Sequence, residues 1–289
     1  MVSSRNLQLK ERLKQPEILV APGAADALVA KIIEKSGFEA VYVTGGGVSY
    51  TTLGMPDMGF ITMTEMVQKA AYIVEAVNIP VVADIDTGYG NALNVIRTVK
   101  EFEKAGVSCV QIEDQVFPKR CGHLAGKEIV PKEEMIAKIK AAVDSRLDED
   151  LMIMARTDAI AIEGLDKAIE RAIAYQEAGA DIIFVEAPRT VEEMKKITSS
   201  LSVPLLANMV EGGKTPLLSA KELEDIGYSI VIYPNAAIRV IAKAVSELMM
   251  ELREKGTTRD YISNMFLFDK LYELVDVDEV RSWEKKYQV

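Results

Sequence analysis

Short, nearly all-apolar runs alternate along the chain with longer stretches in which apolar residues recur every three or four positions. The apolar runs lie at about 18–21, 40–44, 80–84, 109–113, 151–155, 182–186, 204–208 and 230–233. Their length and unbroken apolar character fit strands buried on both faces, as in a parallel sheet. The periodic stretches at 24–36, 64–76, 92–105, 132–144, 165–178, 190–198, 219–226 and 235–255 fit amphipathic helices. Two kinds of junction punctuate them. SGFEAVYVT, AGVSCVQIE, AGADIIFVE and IGYSIVIYP each place a glycine (Gly37, Gly106, Gly179, Gly227) where a helix takes a left-handed C-cap. NIPVVADID, LMIMARTDA and SVPLLANMV instead run from apolar into polar residues. Thr190 with Glu193, and Ser219 with Glu222, read as capping boxes, and Pro131 suits a first helical turn.

Eight strands alternating with eight helices predict a (β/α)8 barrel. An open doubly wound sheet is the alternative; the count of eight, and the lack of a Gly-x-Gly-x-x-Gly after the first strand, favour the barrel. The chain of 289 residues is then one domain, 1–289, with a helical extension from about 235 to 289. Two regions exceed a minimal barrel. The loop 114–130 is long, as functional loops often are. The tail 257–289 has no strand to follow, and either packs on another subunit or stays solvated.

Composition narrows the function. Apolar residues make up 49% of the chain, enough for a large core, and the net charge of −10 argues against nucleic acid as a partner. Two cysteines, Cys109 and Cys121, make no disulfide framework, which points to the cytoplasm. The opening MVSSRNLQLKERLKQ is too polar for a signal peptide, and no run of eighteen apolar residues offers a membrane span.

Catalytic groups in such a barrel gather where strands end. Strand two runs into Thr44-Gly45-Gly46-Gly47, strand three into Asp84 and Asp86, strand four into Glu113 and Asp114, strand five into Arg156, Thr157 and Asp158. Strand six ends in Glu186, strand seven in Asn208, strand eight in Tyr233 and Asn235. Asp84 and Asp86, two apart, share a strand face and repel unless a cation lies between them. With Glu113 they form an all-oxygen set suited to Mg²⁺, with Mn²⁺ the alternative, unless Asp86-Thr87-Gly88 is only a turn. The triple glycine reads as an anion-binding loop or a plain turn. Arg156 reads as a bidentate partner for a substrate carboxylate or as an ion pair with Glu186 or Asp158; the two are compatible. Lys214 and Thr215 are either further anion contacts or part of a loop shaped by Gly212, Gly213 and Pro216. Lys119-Arg120-Cys121-Gly122-His123 holds the only histidine and one of the cysteines. Neighbouring positive charge favours a thiolate, so Cys121 is either a proton donor or nucleophile, or an inert loop thiol.

KRCGH with the preceding IEDQ, together with ADIDTGYGN, ARTDA, VEAP and LANMVEGGKTP, resembles the isocitrate lyase/phosphoenolpyruvate mutase superfamily from about Pro22 to Arg239. Within it the length and KRCGH are most similar to the 2-methylisocitrate lyases, with 2,3-dimethylmalate lyases and oxaloacetate-cleaving relatives close behind. Phosphonate-forming mutases generally lack the loop cysteine. The resemblance implies a barrel whose C-terminal helix is exchanged between paired subunits of a homotetramer. It implies Asp84 and Asp86 as metal carboxylates, with Asp57 and Glu113 reaching the ion through water. Thr44, Gly45 and Gly46 match its substrate loop, Cys121 its catalytic acid with Gly122 beside it, and Arg156, Glu186, Asn208 and Arg239 its substrate contacts. One departure stands out: Phe268 occupies a place where methylisocitrate lyases often carry a basic residue.

The implied reaction is a Mg²⁺-dependent retro-Claisen (aldol-type) cleavage of a 2-hydroxy di- or tricarboxylate. Its first candidate is 2-methylisocitrate, giving pyruvate and succinate in propionate catabolism. Tyr42 is the expected base and Cys121 the acid, with Lys119, Arg120 and His123 tuning the thiol and neutralising carboxylates. The alternatives are 2,3-dimethylmalate or oxaloacetate cleavage, a phosphonomutase, and, outside enzymes, a barrel that only binds a carboxylate.

Overall fold

The structure, a computed structural model, describes residues 2–122 and 126–288. The chain divides into two compact units, Met1–Ala236 and Ala237–Val289, close to where the helical extension is expected to start.

In the first unit eight parallel strands close into a barrel in sequence order: β1 (Leu19–Ala24), β2 (Val41–Val43), β3 (Val81–Asp84), β4 (Cys109–Glu113), β5 (Met152–Thr157), β6 (Ile182–Val185), β7 (Leu205–Asn208) and β8 (Ile230–Tyr233). Closure is made by β1 pairing with β8, Leu19 opposite Ile230 and Pro22 opposite Tyr233. The helices are α1 (Val2–Arg12), α2 (Ala27–Lys35), α3 (Gly45–Leu53), α4 (Met63–Ala76), α5 (Ala92–Ala105), α6 (Lys132–Ser145), α7 (Ile160–Glu163), α8 (Leu165–Glu177), α9 (Val191–Ser200) and α10 (Ala220–Ile226). Every residue of β2 through β6 is buried, as strands between an inner core and a helical layer should be. Gly37, Gly106, Gly179 and Gly227 all take positive φ, the left-handed turn expected of each.

Three local features differ from the sequence expectation. First, α1 is a helix in a segment that reads as polar. Its Leu9, and Leu13 just past its end, are buried with Leu19, Ala40, Cys109, Met152, Ile182 and Ile230, residues at or next to the strand starts, filling the N-terminal end of the barrel interior. Second, Gly45-Gly46-Gly47 open helix α3 instead of forming a loop, with Thr44 as N-cap accepting from the Gly47 amide. Third, the Ser219/Glu222 capping box forms, whereas the Glu193 carboxylate reaches back to the Arg189 amide and only the Thr190 half of the other box is made. Pro131 stands as the N-cap of α6.

The second unit holds most of α11 (Ala236–Lys255), a 3-10 turn (Arg259–Asn264), α12 (Phe268–Leu274) and α13 (Val277–Tyr287). None of these elements buries a residue, and Val240, Met250, Phe268 and Trp283 are each more than half exposed. Phe268 stacks on Tyr272 with ring centroids 4.1 Å apart.

Candidate active site

The C-terminal ends of the strands bring together most of the expected polar residues. Asp84 ends β3, and two residues on Asp86 turns its carboxylate inward from a left-handed backbone at φ 48°, a strained state for a non-glycine residue. The turn is tied down on several sides. The Asp86 amide donates to Asp84 Oδ1 (3.0 Å), the Glu113 amide to the Asp86 carbonyl (2.9 Å), and the buried Lys138 ammonium to the Thr87 carbonyl (3.3 Å). Helix α3 starts directly above. A Cβ on Gly45 would lie 2.8 Å from Asp84 Oδ2 and 3.4 Å from Asp86 Oδ1, so only glycine lets this helix end approach the carboxylates.

Lys119 enters from the long loop. Its buried ammonium lies 2.5 Å from Asp57 Oδ1 and 2.7 Å from Asp86 Oδ1. Burial opposes its charge, but Asp86, Asp57, Asp84 and Glu113 outweigh that and hold its pKa well above the ordinary value. Asp86 is pushed up to about 6, first by burial and then by the Asp84 and Asp57 charges, with Lys119 opposing. On the far side Arg156 makes a two-pronged contact with Asp158 (3.0 and 3.1 Å) and lies 3.3 Å from Glu113 and 3.7 Å from Glu186. Asn208 donates to Glu186 (3.2 Å). The ion-pair reading of Arg156 therefore has both of its expected partners, Asp158 and Glu186, within reach. Burial works to raise Asp158, yet Arg156 and Lys127 outweigh it and keep it ionised.

The segment with the candidate thiol lies over this rim. The Cys121 amide donates to the Asp57 carbonyl (3.2 Å). Gly122 is wedged so closely that a Cβ would lie 2.5 Å from the Arg156 guanidinium and 2.7 Å from the Glu186 side chain. His123 lies outside the described residues. Thr44 donates to Asn235 (3.2 Å). Thr215 is placed apart from the carboxylates, in a small space lined by Met194, Met209, Tyr228 and Asn208. Arg239 belongs to α11, in the second unit.

The Tyr42 hydroxyl donates to Gln111 Oε1 (2.9 Å) inside the barrel, and burial, with the Asp84 charge adding, pushes it well above an ordinary phenol. The sequence names Asp114 and Asp158 as strand-end residues but not the second layer of bonds they make. Asp114 accepts from Thr157 (2.7 Å), Tyr175 (2.8 Å) and the Asp158 amide (2.9 Å), and Gln115 takes both backbone groups of Arg120. Lys127 bonds Asp158 (2.6 Å). A carboxylate one residue past the β4 end, facing α8, was the one available signal for Asp114.

The rim suits a divalent cation. Six carboxylates (Asp57, Asp84, Asp86, Glu113, Asp158, Glu186) face three cations (Lys119, Lys127, Arg156). Asp86 Oδ1 and both Glu113 oxygens are buried without a hydrogen bond; Lys119 and Arg156 reach them only as ion pairs. Among the described residues no three His, Cys, Asp or Glu side chains close on a single point. The unbonded Asp86 and Glu113 oxygens are hard donors of the kind a divalent cation takes, with water and substrate oxygens able to fill the rest of its shell.

An eight-stranded barrel with a carboxylate-lined mouth suited to a divalent cation, and a cysteine-bearing segment over it, is the arrangement of a barrel enzyme. Residues 9–253 match the family described as phosphoenolpyruvate phosphomutase, and the chain belongs to that family, within the isocitrate lyase/phosphoenolpyruvate mutase superfamily. It is 54% identical over 280 residues to the 2,3-dimethylmalate lyase of Eubacterium barkeri, covering 97% of each chain. It is 45% identical to the 2-methylisocitrate lyase of Aeropyrum pernix, covering 93% of this chain and 86% of that one. A solved phosphonopyruvate hydrolase in complex with oxalate and Mg²⁺ superposes with a TM-score of 0.89 at 33% identity, covering 99% of both chains.

Proposed function

We propose that the chain is a Mg²⁺-dependent carbon–carbon lyase that cleaves a 2-hydroxy dicarboxylate to pyruvate and a second carboxylate. The observation that carries this reading is the placement of Cys121 and Gly122 over a rim with Asp84 and Asp86 on one side and Arg156 and Glu186 on the other. Asp84 and Asp86 would hold the ion, with Asp57 and Glu113 reaching it through water. When bound, Mg²⁺ supplies Lewis acidity at the substrate's carboxylate and hydroxyl oxygens. The first amides of α3, which have no acceptor within the helix, and Arg156 orient the substrate carboxylates. The C2–C3 bond then breaks: the hydroxyl on C2 gives its proton to water in the site and its oxygen becomes the keto oxygen of pyruvate, C3 keeps the electron pair and takes a proton from the Cys121 thiol, and the released proton returns the thiolate to the thiol. Asn208 and Arg156 stabilise the charge that forms on the departing carboxylate.

Two substrates share this chemistry and differ only at C3. 2,3-Dimethylmalate carries a methyl there and yields propionate; 2-methylisocitrate carries a carboxymethyl and yields succinate. Lys119, Lys127 and Arg156 each already face carboxylates of the barrel, and the resemblance puts Phe268 where methylisocitrate lyases often carry a basic residue. These features, with the 54% identity, favour the dicarboxylate. 2-Methylisocitrate, and with it a role in propionate catabolism, is the second reading. A panel of both compounds with oxaloacetate, isocitrate and phosphoenolpyruvate in Mg²⁺, read by 2-oxo acid release and NMR of the second product, separates them. Dimethylmalate is expected to lead by about tenfold or more, the discrimination a buried unpaired charge readily produces. If phosphoenolpyruvate is rearranged and no hydroxy acid is cleaved, the lyase reading is wrong.

We extend the proposal to a cytoplasmic homotetramer of helix-exchanged pairs. Among the described residues no helix is long and apolar enough to cross a membrane. The exposed Val240, Val245, Met249 and Met250 of α11 supply the apolar surface that exchange would bury. Light scattering should give a mass near four times 31.8 kDa, and Met250→Glu should lower it; a monomeric wild type rejects the exchange.

A further inference from the structure

Three successive residues around the thiol are each held through their backbone. Gln115 bonds the amide (2.9 Å) and carbonyl (2.8 Å) of Arg120, the Cys121 amide meets the Asp57 carbonyl, and the Gly122 carbonyl accepts from Lys127 at 2.5 Å. The last contact differs in kind from the others, because Lys127 also bonds Asp158 Oδ1 at 2.6 Å with both side chains almost wholly buried. Asp158 is the carboxylate that grips Arg156 with both its oxygens. One ammonium thus links the peptide next to the thiol with the residue that sets the guanidinium. A buried ion pair adds little net stability, since desolvation offsets the attraction, so tethering alone gives no reason to bury a lysine here.

We infer that Lys127 is a positioning residue: it registers the Cys121 thiol against Arg156 by fastening the Gly122 carbonyl to Asp158. This rests on the reading of Cys121 as the proton donor. In a reaction where the donor must reach C3 as the bond breaks, a misplacement of about 1 Å can cost roughly a hundredfold in rate. Binding of the carboxylates by the α3 amides and Arg156 should be much less affected, because Asp158 keeps its two bonds to Arg156 when Lys127 is lost.

The test uses full-length Lys127→Met, which keeps the length of the side chain, and Lys127→Ala with added ethylammonium as a second variant. Lys127→Met is expected to lower kcat at least about tenfold, with KM changed less than about threefold. Ethylammonium should restore part of the kcat of Lys127→Ala and do nothing for Lys127→Met, where the space stays filled. Independently of any substrate, hydrogen exchange in the peptide 116–122 should quicken in both variants while the barrel strands stay protected. Wild-type kcat in Lys127→Met, or unchanged exchange at 116–122, overturns the inference; so does a uniform rise in exchange, which marks a general loss of stability. Should wild type cleave no hydroxy acid, the functional reading fails on its own, and the exchange comparison still decides whether Lys127 fixes this segment.

Discussion

Cys121→Ser should lose between about a hundredfold and ten-thousandfold in turnover, the range over which a positioned general acid contributes, while keeping its affinity for Mg²⁺ and oxalate. Serine matches the cysteine in shape, and the backbone that places it does not depend on the side chain. The residue-121 amide would still meet the Asp57 carbonyl, and Gln115 would still bracket Arg120. What changes is acidity. An ordinary thiol titrates near pH 8.5, within reach of a carbanion that needs a proton at neutral pH, and a serine hydroxyl is far weaker. Oxalate resembles a 2-oxo acid such as pyruvate in its paired oxygens but has no carbon to protonate, so its binding reports the Asp84, Asp86 and Arg156 side of the site alone. Calorimetric titration of oxalate in Mg²⁺, beside single-turnover release of pyruvate, separates the two. Serine turnover close to wild type would remove Cys121 as the acid. Loss of oxalate binding along with turnover would mean that the thiol serves the pocket's shape.

The barrel was legible because its strands obey a simple physical rule. A strand buried on two faces has almost no polar residue until it reaches the rim, so the switch from VVA to Asp84, or from MIMA to Arg156, marks both the strand and its functional end. Where the rule weakens, the reading weakened too. Pro22 and Gly23 look like a turn, yet β1 runs through them to Ala24, paired with β8 and β2. Three glycines are poor helix formers; they open α3 where a Cβ would crowd the Asp84 carboxylate at Gly45 and the Thr44 side chain at Gly47. Leu9 in α1 and Leu13 just past its end reach the core from a segment otherwise rich in polar residues, which gives no clear period. At the site, residues that act from strand ends were found one by one. Those that act across the fold, such as Lys127 on Asp158 or Tyr175 on Asp114, were not, since no spacing along the chain links positions 31 or 61 residues apart. Tyr42 shows the same limit: nothing in the sequence links it to its hydrogen-bond partner Gln111, 69 residues on.

Asp84→Asn should abolish both Mg²⁺ binding and turnover while leaving the fold intact or firmer. Asp84 Oδ1 accepts from the Asp86 amide, and an asparagine oxygen can do the same, so the left-handed turn at Asp86 keeps its support. The charge is what disappears. Two hard carboxylate oxygens become one carboxylate and an amide, and the loss of a metal's Lewis acidity is worth several kcal/mol, on the order of a hundredfold to a thousandfold or more in rate. Without metal the opposite holds for stability. Asp84 stands beside Asp86 and Glu113, whose ionisation its charge makes costlier, and both of these carry buried oxygens with no hydrogen bond. Removing one negative charge relieves that repulsion, as functional sites often trade stability for activity. Thermal melts make the two effects visible in one experiment. Mg²⁺ should raise the Tm of wild type, because it binds only the folded state. Asp84→Asn should melt at or above the metal-free wild type and show no response to Mg²⁺. A variant that still gains stability from Mg²⁺ and still releases pyruvate would place the ion elsewhere on the rim. One that melts well below metal-free wild type would show that Asp84 holds the barrel mouth together before it holds any metal.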